Sequence, residues 1–579
     1  MSGTAVSTTV RAHSSGGAPN SALADPKYKK TINIAGVNFP DIIEHWDREM
    51  FKKAGIAATV GAAGITGMYG LCQESVIVDL IVAAYWAIGY HDMNQKSHTV
   101  LRNFPVLGNI RFILEGIRPE IQQYFVEPDT QGTPFTRLER SLVYQRAKGV
   151  TDTQPFGTRR NVYETGYEWA NHSMYPKTVN HEHARVMVGG KDCKKPYSAS
   201  LLNVSGMSYG ALSDNAILAL NTGAKLGGFY HNTGEGGISK FHLEPGGDLV
   251  WNLGTGYFGC RNPDGTFSLE KFKMASGDPR VKMVEIKLSQ GAKPGHGGLL
   301  PGPKVTKLIA EARGVNPGED CNSPPQHSAF KDAAGLVRFI KTLREASGGK
   351  PIGFKLCVGR AEEFCALVNA MVEADTFPDF ITVDGGEGGT GAAPPEFSNS
   401  VGTPLREGLT LVNSVLIGAG VRHHVKIICS GKVTSGVSIV RLIALGADLT
   451  NAARAMMFSL GCIQAGKCNT NRCPSGVATQ DPDLFYGLDV DSKSVRVATF
   501  QRKTVEYALD IVGAMGLDKP AEIKAADLYK RISIDKTMSF AELYPTPEKG
   551  SLLQGKGPRI LQSYWDKGVA LNLKAAKLM

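Results

Sequence analysis

Cysteine is scarce. Ten in 579 residues is too few for a disulfide scaffold. There is no Gly-X-Y period, so the glycines do not signal a collagen. No run of five like charges and no zinc-finger spacing occurs, which removes the usual marks of nucleic-acid binding. A Walker A motif is also missing. The first 30 residues lack the apolar stretch of a secretory signal, and Arg11 is their only arginine, so they read as a flexible tail. Charge of either sign is modest: 64 basic against 54 acidic residues leave +10 over a long chain. That bias suits anionic small molecules better than polyanions. With 42% apolar and 20% charged residues the chain is neither disordered nor fibrous, and its length buries a core without staples.

Glycine is abundant instead. The 67 glycines are about 12% of the chain, against ~7% as a norm. They cluster in short loops after apolar runs, which suggests backbone packed close to a ligand. Near the N-terminus, residues 54–73 carry no charge over twenty positions, and a second apolar stretch follows at 75–90. Two readings stand: a Gly/Ala-rich helical hairpin packed on protein, or a hairpin in a membrane. Glu74 and Asp79 speak against lipid. Glycines at 61, 64, 67 and 70 suggest a close helix contact.

From about residue 199 short apolar runs alternate with amphipathic stretches, the mark of βα units. The runs are 199–205, 226–231, 283–289, a poor one at 319–323, 351–357, 379–384, 425–430 and 447–451. Helical patterns at 213–225, 304–313, 331–346, 360–374, 405–418 and 434–445 fill most gaps. Eight units over some 260 residues predict an α/β fold, a (β/α)8 TIM barrel. Residues 239–282 read as an insertion. The expected organisation is a tail at 1–30, an N-terminal region at 31–190, the barrel at 191–485 and a C-terminal extension at 486–579. The glycine-rich loops fall at the carboxyl ends of the runs, where such barrels hold their active sites.

GTGYFG at 254–259 matches a dinucleotide fingerprint, but turn residues follow it rather than a helix, so that reading fails. Gly431 and Lys432 after the seventh run, with Ala453 and Arg454 after the eighth, make a candidate phosphate site. Lys355 lies inside a buried run and must find a partner, either a bound ligand or a buried carboxylate. Cys462, Cys468 and Cys473 form a C-x5-C-x4-C cluster. The spacing is wrong for zinc and has no fourth ligand, whereas three thiolates suit a three-iron cluster.

GMSYGALS (206–213), NTGEGG (232–237), QGAKPGHGGLLPGPKVT (290–306), SPPQH (323–327), GGTGAAP (388–394) and CIQAGKCNTNRCPSGVATQ (462–480) resemble the FMN-binding synthase domain of glutamate synthase, in the same order. The RNFPVLG segment at 102–108 resembles the stand-alone members of that family. The resemblance implies FMN at the barrel mouth and a 3Fe-4S cluster on Cys462, Cys468 and Cys473. It implies FMN contacts from Ser205, Gly206, Met207, Ser208, Asn232, Lys287, Gln290, Lys355, Gly385, Gly386, Gly389, Thr390, Gly391, Gly431, Lys432, Ala453 and Arg454. Glu235, Lys293 and Arg313 would be catalytic: a proton carrier, a cation near the reacting carbonyl and a carboxylate clamp.

The implied reaction condenses a 2-oxo acid, foremost 2-oxoglutarate, with ammonia and reduces the imino acid. No pyridine-nucleotide site is visible, so an external electron donor, a ferredoxin or another reductase, is implied. The glutaminase domain that supplies ammonia in full-length glutamate synthase is not evident, which implies free ammonia or a glutaminase partner. His296 and Leu299 depart from the family's acid and glutamine near the oxo-acid site. Rival readings are a methylglutamate-synthase-like amine transfer and a non-catalytic electron-transfer subunit. The expected location is cytoplasmic, with membrane association through 54–90 as the alternative.

Overall fold

A computed structural model describes residues 31–34, 37–40 and 46–577. The tail read at 1–30 lies outside the described residues. The chain forms two compact units, 1–126 and 127–579. Residues 127–190 therefore fold with the barrel and not with the N-terminal region.

Among its described residues the first unit is helical apart from a small hairpin, Thr31–Ile34 with Val37–Pro40. Helices Arg48–Tyr69 and Gln73–Asn94 pack as an antiparallel pair. Asp47 caps the first, and its side chain accepts from the Met50 N–H. The pair meets at two glycines: a Cβ on Gly55 would stand 2.5 Å from Trp86, and one on Gly89 would stand 2.0 Å from Phe51. The expected stripe makes no such contact, for nothing lies within 4 Å of a Cβ on Gly61, Gly64 or Gly67. Spacing alone does not say which face of a helix meets its neighbour.

The second unit holds a closed barrel of eight parallel strands. They are β1 (Leu202–Val204), β2 (His231–Asn232), β3 (Leu249–Leu253), β4 (Val281–Lys287), β5 (Ile352–Cys357), β6 (Phe380–Asp384), β7 (Lys426–Ser430) and β8 (Leu449–Ala452). Closure comes from β8 on β1, with Thr450 opposite Leu202. Two sequence readings are corrected here. The stretch read as an insertion contains β3, whose five residues hide between Gly247 and Gly254 and are all buried. The poor run at 319–323 is no barrel strand; Cys321–Asn322 pairs with Leu299–Leu300 as a small antiparallel hairpin in the loop after β4.

Strands covered on both faces read as apolar runs, so the alternation of inward residues carries the information. On β4 Met283 sits in an apolar cluster with Val250, Phe380, Ile428 and Leu449, joined by Val188, Tyr197 and Ala199. Those last three come from the hairpin Arg185–Val188 and Tyr197–Ser200, which plugs the amino end of the barrel. Two residues on, Glu285 accepts from Asn232 Nδ2 (2.8 Å), Asn252 Nδ2 (2.7 Å) and Thr382 Oγ1. Two further on stands Lys287, at the mouth. The interior thus grades from apolar floor to charged rim. Outside, helix Val490–Ala514 packs on helix Asp214–Gly227, and helix Arg559–Lys577 packs on helix Ala361–Glu373.

His231 on β2 is fully buried, and neither ring nitrogen has a partner among the described residues. Burial alone pulls its pKa down to about 3. Burial likewise takes His327 down to about 4. Between pH 6.5 and 4 the unfolded chain binds protons at both sites that the native chain does not. Stability should fall with pH across that window by about 1.4 kcal/mol per unit per histidine. Urea midpoints from pH 7 to 4.5 check this, and His231→Leu should lose its share of the slope.

Candidate active site

The carboxyl ends of the strands open onto a cavity of about 360 Å³. That volume suits a small-molecule site. Its apolar walls come from Phe135, Met207, Leu212, Met457 and Phe458, and Lys287, Lys355 and Arg454 face it. Two recesses share its lining. One runs along Asp384, Ser430, Gly431, Lys432 and Arg454. The other lies under the loop after β4, between Glu235, Lys287, Lys293 and His296. Apolar walls with cations at one end fit a flat ligand with an anionic tail.

In the first recess Lys432 Nζ and the Arg454 guanidinium lie over the ring of Phe135, 5.9 and 4.7 Å from its centre. Phe135 is itself buried and packs edge-on against Phe458. Lys432 holds a left-handed backbone, φ 47°, a strained conformation that neighbouring structure must enforce. Arg454 Nη2 donates to the Glu387 carbonyl at 2.7 Å. A Cβ on Gly389 would come within 3.0 Å of Arg454 Nη1, so a side chain there would crowd the guanidinium.

Lys355 finds both the cavity and a carboxylate. Its Nζ is 3.1 Å from Asp384 Oδ2. Burial lowers its pKa, but Asp384 and Glu285 outweigh burial and hold it above the usual value, so the ammonium persists. Glu235 Oε2 accepts from Lys287 Nζ at 2.8 Å. Burial pushes that carboxyl up; Lys287, with Arg313 and Lys293 behind it, more than reverses this and keeps it ionised. Lys293 is lowered by burial, partly offset by Glu235, and its Nζ donates to the Ala392 carbonyl at 3.2 Å.

Most of the expected residues converge here. Gly206, Met207, Ser208, Glu235, Lys287, Gln290, Lys355, Gly389, Thr390, Gly391, Ala453 and Arg454 line the main cavity. Ser205, Gly431 and Lys432 line the first recess, and Lys293 the second. Four stand apart from the linings. Asn232 ties the Gly234 N–H to Glu285. Gly385 and Gly386 serve close packing: a Cβ on the facing Gly291 would lie 1.6 Å from the Gly385 carbonyl oxygen. Arg313 is buried under Phe258 and donates through Nη2 to the Tyr209 carbonyl at 2.9 Å, so it props the loop after β1. Leu299 points outward at 45% exposure and lines neither cavity, whereas His296 does line the second recess. Sequence reasoning missed Phe135, Glu285 and Asp384. The last was findable, because Lys355 needed a partner and Asp384 ends the neighbouring run.

Cys462 and Cys468 line the cavity, and Cys473 lies behind them. All three are free thiols close enough to perturb one another. Burial raises Cys462 to about 11 and also raises Cys468. At Cys473 burial acts the same way, but the Ser475 hydroxyl and the N–H groups of Ala478, Ser475 and Val477 reverse it and favour the thiolate. Lys304 Nζ donates to the Cys468 carbonyl at 3.1 Å, and Tyr144 OH to the Cys462 carbonyl at 2.6 Å. Among the described residues no group of three or more Cys, His, Asp or Glu stands in ligating geometry. The donor set fits an iron–sulfur cluster by its chemistry: three neighbouring thiols, with the Cys473 thiol lowered by its hydrogen-bond donors and a cation at hand.

Residues 161–518 match the family described as the conserved region in glutamate synthase. The chain belongs to the glutamate synthase family. The glutamate synthase large subunit-like protein YerD of Bacillus subtilis is 38% identical over 486 residues, which cover 77% of this chain and 92% of YerD. The archaeal-type glutamate synthase (NADPH) of Thermotoga neapolitana is 35% identical over 315 residues, which cover 54% of this chain and 59% of that enzyme. Among solved structures, a mandelate oxidase variant with a monooxide FMN adduct is similar at a TM-score of 0.38 and 15% identity, covering 74% of this chain and 99% of its own. The glutamate synthase match takes in all eight strands and all three clustered cysteines.

Proposed function

We propose that this chain is an FMN-dependent oxidoreductase of glutamate synthase type, which reduces an imino acid formed from a 2-oxo acid and ammonia. The observation that carries the reading is the convergence of Lys355, Lys432 and Arg454 on one apolar-walled cavity beside Glu235 and Lys287. FMN, when bound, supplies the hydride. Lys432 and Arg454 would hold its phosphate, and the glycines after β6 would let backbone approach a flat ring. Lys355 would supply a fixed positive charge to the bound flavin.

The second recess takes the substrate. Lys293 and Lys287 bind its carboxylate, with His296 at the rim. Glu235, ionised, accepts a proton at Oε2 from the ammonium nitrogen, and Lys287 Nζ, 2.8 Å away, returns one to the product amine. Arg313 acts at one remove, through the Tyr209 carbonyl. A 3Fe-4S cluster on Cys462, Cys468 and Cys473 would carry single electrons in from an external donor, a ferredoxin or another reductase. Ammonia comes free or from a glutaminase partner.

Anaerobically purified chain should show flavin absorbance and about three irons. With a chemical reductant, ammonia and a panel of 2-oxo acids it should form an amino acid. A colourless folded protein, or a flavoprotein that forms none, overturns the proposal. Cys468→Ser should abolish bound iron and leave most of the flavin, since the flavin contacts are spread over several other loops; unchanged iron content would exclude these cysteines as ligands. Phe135→Ala removes the ring on which two cations rest. Cation–π contacts of about 0.5–2 kcal/mol each predict FMN bound some tenfold more weakly, with riboflavin little affected. Flavin fluorescence titration of the apoprotein reads the difference.

A further inference from the structure

The first unit carries a large apolar surface that the proposed chemistry does not use. On its two long helices Ile56, Val60, Leu80 and Ile81 are each at least 59% exposed. Among the described residues, Gln73–Asn94 is one helix long and apolar enough to cross a bilayer, and little of it is buried. We infer that the hairpin Arg48–Asn94 is inserted in a phospholipid bilayer, with both of its open ends on the same face.

Four observations select lipid over a protein partner. The first is length. Gln73–Asn94 has 22 residues, so at 1.5 Å per residue it spans about 33 Å, matching the ~30 Å hydrocarbon core, and Arg48–Tyr69 runs beside it with its charged residues confined to the first two turns at the open end. The second is polar satisfaction inside the hairpin. Thr66 Oγ1 donates to Asp79 Oδ2 at 3.0 Å, Trp86 Nε1 to Thr59 Oγ1 at 2.9 Å, and Tyr85 OH to the Phe51 carbonyl at 2.8 Å. The carboxylate that argued against lipid is thus turned to a partner within the pair.

The third is charge. No lysine or arginine occurs between Lys53 and Lys96, and the tip carries only Glu74 and Asp79. Arg48, Lys52, Lys53, Lys96 and Arg102 all sit at the open end. Such an imbalance places that end on the cytoplasmic face. Tyr85, Trp86 and Tyr90 make an aromatic belt toward the same end.

The fourth is the helix that follows, Gly108–Ile121. Ile110, Ile113, Leu114 and Ile117 form one exposed stripe, while Arg111, Glu115 and Arg118 form another. This is the pattern of a helix lying in the plane of the headgroups. The segment before it is fixed to the hairpin's open end: Asp92 Oδ2 accepts from the Val106 N–H (2.9 Å) and Asn109 Nδ2 (2.6 Å), and Trp46 Nε1 donates to the Pro105 carbonyl (2.7 Å).

The test uses the full chain with its cofactors and reads location, not activity. The chain should need detergent for extraction, should float with neutral phosphatidylcholine vesicles, and should stay with them in about 1 M salt, where a Debye length of ~3 Å removes charge adhesion. The double variant Leu80→Arg, Ile81→Arg should float at least tenfold less while keeping its helical circular dichroism and flavin spectrum, because both side chains point away from the hairpin contact. A chain that remains in the detergent-free soluble fraction, as a monomer or as an oligomer, overturns the inference. So does release by salt, or a double variant that floats as well as the parent.

Discussion

Lys355→Met should destabilise the barrel by about 3–5 kcal/mol. The substitution keeps the bulk of the side chain but removes the cation that stands 3.1 Å from Asp384. Asp384 and Glu285 are both buried, and Lys355 is the cation that both act upon. Deleting one member of a buried pair leaves the other desolvated and uncompensated, which accounts for that magnitude. Urea unfolding at pH 7 reads it. Adding Asp384→Asn should restore part of the loss. A single variant as stable as the parent would mean that water already solvates the pair.

Glu235→Gln should lower kcat by about 10²–10⁴, the usual worth of a positioned proton carrier. The amide is isosteric and can still accept from Lys287 through its oxygen, so the recess keeps its shape. What disappears is the ability to hold a proton at Oε2. Iron and flavin content should be unchanged and KM should move little. Turnover at the parental rate with a labelled amino acid as readout would remove Glu235 from the chemistry and leave it as a structural partner of Lys287.

The barrel was legible where strands are long. β4 to β7 carry five to seven residues each and announce themselves as apolar runs. β2 has two residues and β3 is bracketed by glycines, so the count of eight was reached with one wrong member. The site was legible through its loops, because glycine strings record backbone approach that no other residue permits. It was less legible where a residue acts across the sequence. Asp384 and Glu285 look like ordinary polar interruptions until the alternation on neighbouring strands brings them to Lys355. Phe135 lies nearly 300 residues before Lys432, in a stretch with no motif, and only folding brings it under Lys432 and Arg454. The hairpin glycines failed for the opposite reason: a clear spacing that meets open space.

The positions of Phe135 and Tyr144 also bear on how the enzyme can be cut and recombined. The family match begins at residue 161, yet the compact unit begins at Glu127. A fragment or chimera started at residue 161 would keep every barrel strand and every clustered cysteine. It would lose the ring under Lys432 and Arg454 and the hydroxyl that bonds the Cys462 carbonyl. Such a graft should fold and still be a poor container for its cofactors. The transplantable module of this chain therefore starts some thirty residues upstream of where the family match begins.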